Sequence, residues 1–143
     1  MNFRGKIAAP PPAPRRKPPA PLEHDEQVAV IKCFVQYAML RWRALRLPDG
    51  RPGIFATPNG GERNIKVAAR LKAEGVSSGV PDLYVPALRL WVEMKRTEGA
   101  DTSPNQETWH DYLRAIGDTV VVAYGAAEAI AYIADAAARR FKR

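Results

Sequence analysis

A single cysteine, Cys33, and only two histidines, His24 and His110, stand among the 143 residues. One thiol cannot close an internal disulfide, and so few soft ligands exclude the multi-cysteine and histidine-cluster zinc sites. Long apolar runs are missing too. No stretch of about 18 apolar residues occurs, and the N-terminus lacks the apolar core of a signal peptide, so neither membrane insertion nor secretion is expected. The expected setting is a reducing cytoplasm, with Cys33 a buried, inert thiol. Acid is absent from both chain ends: residues 1–21 hold Arg4, Lys6, Arg15, Arg16 and Lys17, and the C-terminus holds Arg139, Arg140, Lys142 and Arg143. Between 22 and 138, 13 basic residues face 15 acidic ones, so the net charge of +7 resides in the ends. Such ends suit a polyanionic partner, with plain solubility as the alternative.

What remains is enough for one domain. Hydrophobic residues at 46% and charged residues at 26% are ordinary for a folded globular protein, and the length has room for one core. Seven prolines within residues 1–21 rule out helix or central strand there, which predicts a disordered, basic, proline-rich arm. The folded domain is expected over 22–138, and a basic tail over 139–143. Val28, Ile31, Val35, Ala38, Trp42 and Leu45 recur at steps of three and four and predict one helix over 23–45. A short strand at 54–57, the loop Pro58-Asn59-Gly60-Gly61 and a helix over 63–74 follow. Asp82 to Val85 and Leu88 to Lys95 read as a hairpin with only Pro86 and Ala87 between, and the second strand's alternation places Trp91, Glu93 and Lys95 on one face. Ser103-Pro104 opens a helix with the apolar stripe Trp109, Tyr112, Leu113 and Ile116. A β-branched strand over 119–124 and an alanine-rich helix from about 126 complete the chain.

Two carboxylates on adjacent strands, with a lysine two residues past the second, supply what phosphodiester hydrolysis requires. Hard oxygen ligands bind a cation, and positive charge stabilises the crowded transition state. Gly79-Val80-Pro81-Asp82-Leu83, ten intervening residues, then Glu93-Met94-Lys95 resembles the PD-(D/E)xK signature of restriction-endonuclease-like enzymes. With Glu23 and Gln27 on the first helix, Pro58-Asn59-Gly60-Gly61, and Gln106 with Trp109, the pattern over about 22–133 resembles the VRR-NUC family of virus-type replication-repair nucleases.

The resemblance implies an α/β, restriction-endonuclease-like αβββαβ core with a C-terminal helix. It implies a deoxyribonuclease dependent on Mg²⁺ or Mn²⁺, a structure-selective endonuclease on branched DNA with Holliday junctions as the candidate substrate, of the stand-alone type found in phages and bacteria. The catalytic residues would be Glu23, Asp82, Glu93, Lys95 and Gln106, and the metal ligands Asp82, Glu93 and the Met94 carbonyl, with Glu26 as the alternative to Glu23. Gln106 also makes an ordinary capping box with Ser103. Asn59 and Gly60 in a loop bare of side chains, and Arg63 and Lys66 on the helix after it, are candidate DNA contacts. Trp42 and Trp109 are expected in the core, and Trp91 beside the site. A homodimer is expected because two opposed cuts need two sites related by a two-fold axis, with Phe34, Tyr37, Met39 and Leu40 offering apolar surface. The competing reading is a non-catalytic DNA-binding or protein-interaction module that keeps the nuclease fold.

Overall fold

The structure, a computed structural model, describes residues 21–58 and 64–142. The arm as far as residue 20, Asn59, Gly60, Gly61, Arg63 and Arg143 lie outside the described residues.

Helix α1 (Glu23–Cys33) runs into a π-helical turn (Phe34–Ala38), one further turn, α2 (Met39–Arg41), and a 3-10 turn (Arg43–Leu45). This corrects the single helix expected over 23–45. The wider i→i+5 turn shifts the phase of the buried face. Val30, Phe34, Met39 and Leu45 are buried, whereas Val28 and Val35 of the expected stripe are about 40% exposed. Phe34 and Met39 therefore belong to the core and leave only Tyr37 and Leu40 of the expected dimer patch exposed. Cys33 is half-buried rather than buried.

Strand β1 (Phe55–Ala56), α3 (Ile65–Ala73), β2 (Leu83–Val85) and β3 (Leu90–Lys95) follow, then α4 (Pro104–Ala115), β4 (Thr119–Tyr124) and α5 (Ala126–Arg140). The sheet order is β1-β2-β3-β4; β2 pairs antiparallel with both β1 and β3, and β4 is parallel to β3. Helix α3 is inserted between β1 and β2 of the αβββαβ order, and none of its residues is buried. The β2–β3 connection is longer than the two residues expected. Pro86 opens a 3-10 turn through Leu88, and Arg89 adopts a left-handed conformation (φ 47°), so Leu88 is buried in the turn and the strand begins at Leu90. Arg89 is held there by a 2.8 Å ion pair to Asp118.

Leu83, Val85, Leu90, Val92 and Met94 project from one sheet face against Val30 of α1, Phe34 of the π-helical turn and Ala129, Ile133 and Ala137 of α5, forming one core. Helix α4 lies on the other face, over β4 and the end of β3. Helix α5 extends to Arg140, with Arg139 paired to Asp135 at 2.8 Å, so the first two residues of the expected tail are helical. Among the described residues no helix is long and apolar enough to cross a membrane.

Candidate active site

Asp82 is fixed by the backbone on both sides. The Thr57 amide donates to the Asp82 carbonyl and the Thr57 hydroxyl to the Pro81 carbonyl, each at 2.8 Å, which ties the end of β1 to the entry of β2. Before it, Gly79 sits at φ +91°, where a Cβ would come within 2.6 Å of the Asn105 backbone. Only glycine lets this loop press against the N-terminus of α4. Beyond the last β2–β3 pair, the Met94 amide donates to Asp82 Oδ2 at 2.7 Å, so a side chain takes the place of the missing strand partner. A strand residue sends its N–H and C=O to the same side, which directs the Met94 carbonyl toward Asp82 as well.

Glu93 and Lys95 lie on the sheet face opposite the core, as the alternation predicts, and both are buried. Their burial comes from α4. Gln106 Nε2 donates to Glu93 Oε1 at 2.6 Å, and Lys95 Nζ donates to Gln106 Oε1 at 2.9 Å, while Lys95 and Glu93 themselves stand 3.6 Å apart. Gln106 Oε1 also accepts the Ser103 amide at 2.9 Å, and Ser103 Oγ accepts the Gln106 amide. The capping box and the contact with Glu93 and Lys95 are thus made by one side chain, and the two readings of Gln106 do not compete. One turn later, His110, 3% exposed, places Nε2 at 3.4 Å from Glu93 Oε2.

Burial raises the Glu93 carboxyl to about 8, helped by the neighbouring Asp82 charge and opposed by Lys95. Burial likewise raises Asp82 to about 6, against the Met94 amide bond that favours its charged form. Glu23 raises both through its charge, which places it within electrostatic reach of the pair. Burial, with the Arg114 and Lys95 charges, lowers the His110 imidazole from its usual range. Glu26 is engaged elsewhere: its Oε2 accepts the Ala126 amide at 2.6 Å, capping α5 from a distance of 100 residues in sequence.

No metal-ligand spacing in the sequence singles out His110. The spacing Gln106, His110, Leu113 was a usable signal, since these three share one helical face. That face covers Glu93, so its inner members are polar. The expected apolar stripe is wrong for the same reason: Tyr112 and Ile116 are at least half exposed. Trp109 is not in the core; its Nε1 donates to Ser77 Oγ at 3.2 Å, and it lines a cleft of about 820 Å³ with Lys72, Ser77, Asp82, Asn105 and Gln106. Trp42 does pack against the core. Trp91 stacks on Tyr84 and donates to Asp118 Oδ2 at 3.0 Å, beside rather than inside the carboxylate pair. Lys66 is exposed on α3, its amide bound to the Asn64 cap. Asn59, Gly60 and Arg63 lie outside the described residues.

Two buried carboxylates, both raised by burial, with the Met94 main-chain oxygen on the Asp82 side of the strand, form a donor set suited to a hard divalent cation. Among the described residues no group of three His, Cys, Asp or Glu side chains is gathered to hold a metal, so such an ion would take Asp82, Glu93, the Met94 carbonyl and water.

No family model matches the chain. No curated protein matches it either. A solved structure described as a VRR_NUC domain protein does match, with a TM-score of 0.60 and 25% identity, over 85% of this chain and 92% of that one. That likeness, with the mixed four-stranded sheet, supports a VRR-NUC family assignment and a VRR-NUC nuclease-like fold.

Proposed function

We propose that the protein is a metal-dependent endonuclease that hydrolyses phosphodiester bonds in branched DNA, with four-way junctions as its substrate and a homodimer as its working form. The observation that carries the nuclease reading is the linked set Asp82, Glu93, Gln106 and Lys95 at the edge of an open cleft. A strand settled in that cleft meets Asp82 and Gln106, and Gln106 in turn is bonded to the buried Glu93 and Lys95. A bound Mg²⁺ or Mn²⁺ would polarise the phosphate and lower the pKa of a water. Gln106 holds Glu93 and Lys95 in fixed relation, so the ammonium is aimed before the substrate arrives. Lys95 orients the attacking water or stabilises charge on the phosphate. His110 restrains the second oxygen of Glu93 and limits rotation of the carboxylate. Glu23 contributes charge from the first helix, directly or through water. Lys66, Asn59, Gly60 and Arg63 are assigned to DNA contacts, and the proline-rich arm to phosphate contacts at longer range.

The test is incubation of the full chain with labelled duplex, flap, splayed-arm and four-way substrates in Mg²⁺ or Mn²⁺, with the products mapped. Paired cuts in the four-way substrate are expected. Cleavage of none of the substrates would overturn the nuclease reading and favour a non-catalytic DNA-binding module.

A further inference from the structure

We infer that Phe55, Tyr84 and Trp91 form a stacking platform for an unpaired nucleotide of the substrate DNA, next to the bond that is cut; this rests on the nuclease reading. Strand pairing sets Phe55 opposite Tyr84 and Tyr84 opposite Trp91, so the three side chains form a row across β1, β2 and β3. Phe55 meets Tyr84 edge-on at 5.6 Å between centroids, and Tyr84 stacks on Trp91 at 4.2 Å. Leu83 and Val85 face the core, which puts Tyr84 and the whole row on the opposite face, the one carrying Glu93 and Lys95. Asp82 lies two residues before Tyr84 and Glu93 two residues after Trp91, an offset of about 7 Å along a strand. That is the length of a single nucleotide step, so a strand with its phosphate between Asp82 and Glu93 carries its neighbouring base over the rings.

Helix α4 packs over the β4 side of this face. Phe55 is 50% exposed at the sheet edge, and Tyr84 and Trp91 are half-buried. A lone exposed phenylalanine is ordinary on a protein surface, and a cross-strand aromatic pair stabilises any sheet. Neither accounts for a third ring that prolongs the row outward beside a pair of buried carboxylates. The Trp91 ring is also fixed: Asp118 accepts from its indole and from Arg89, so little ordering remains when a base arrives. The occupant follows from the chemistry. Aromatic faces bind bases of any sequence, but only bases released from their own stack and pair. Duplex DNA hides those faces, whereas splayed and branched DNA exposes them.

Fluorescence anisotropy in EDTA reads the platform without cleavage, with the full chain and fluorescein-labelled DNA either fully paired or carrying one oligo(dT) arm. The wild type is expected to prefer the splayed DNA, and Phe55→Ala to reduce that preference about tenfold or more, with Phe55→Trp restoring it. Tyr84→Ala, checked by its melting temperature, is the second variant. An unchanged preference in Phe55→Ala and in folded Tyr84→Ala overturns the platform while wild-type cleavage still stands. Equal weakening on both DNAs overturns it too. Wild type that cleaves no DNA fails the nuclease reading itself, and the platform with it.

Discussion

Glu93 is gripped at both oxygens by one helix, Gln106 at Oε1 and His110 at Oε2, while Asp82 is gripped by the backbone of the strand it faces. This rigidity costs the metal-free protein stability. A carboxyl whose folded pKa lies above its unfolded value binds a proton on folding, so its contribution is fully present below about pH 4 and lost as pH rises through the folded value. For Asp82 that value is about 6 and for Glu93 about 8. The melting temperature in EDTA is therefore expected to fall from about pH 5 to about pH 9, and Mg²⁺ or Mn²⁺ to flatten the fall; a curve that is flat without metal refutes the coupling. Glu93→Gln should remove the upper part of the fall by scanning calorimetry. The same substitution, like Asp82→Asn and Lys95→Ala, should also abolish cleavage, since loss of about 3–4 kcal/mol of transition-state stabilisation slows the reaction on the order of a hundredfold to a thousandfold. Full activity in any of the three, measured on folded protein, removes that residue from the site.

Two acids one turn apart on α1 do different work, because Glu26 caps α5 and Glu23 faces the carboxylate pair only by its charge. Glu26→Ala should lower stability by about 0.5–2 kcal/mol, as loss of a helix cap does, and leave turnover of the folded protein intact. Glu23→Ala should do the reverse, lowering cleavage with little change in the denaturation midpoint. Swapped outcomes would reverse the assignment. This division could not be read from sequence, since the bond from Ala126 to Glu26 spans 100 residues. Local patterns were legible. The alternation of β3, the Ser103 capping box, the β-branched run of β4 and the motif carboxylates lie where the residues placed them. Illegible were features in which tertiary context overrides period. A π turn shifts the buried face of the first helix, and the inner face of α4 is polar because it covers a reactive carboxylate. Hydrophobic periodicity finds faces that cover a core, and α4 covers a site.

The proposed function has a consequence for the whole molecule, since the described residues bring together one candidate catalytic set. Resolving a four-way junction takes two cuts in opposed strands related by an approximate two-fold axis, and a single subunit meets one of them at a time. A C2 dimer supplies two identical sites in that relation, and it is the commonest closed arrangement of identical chains. With Phe34 and Met39 committed to the core, what is left of the expected patch is Tyr37, 68% exposed, and Leu40, 64% exposed. Tyr37 lines an apolar groove with Cys33, Trp42 and Ile130. Two large, exposed apolar side chains beside an apolar groove make a self-complementary contact the economical arrangement. Light scattering at micromolar concentration should give twice the 15.8 kDa chain mass, and Tyr37→Asp with Leu40→Asp should halve it. On a plasmid-borne cruciform the wild type should linearise the plasmid by paired cuts, while the double variant, its site intact, should accumulate nicked circles. A wild-type monomer that only nicks would exclude junction resolution and leave a simpler nuclease, and a double variant that stays dimeric would move the interface to another face.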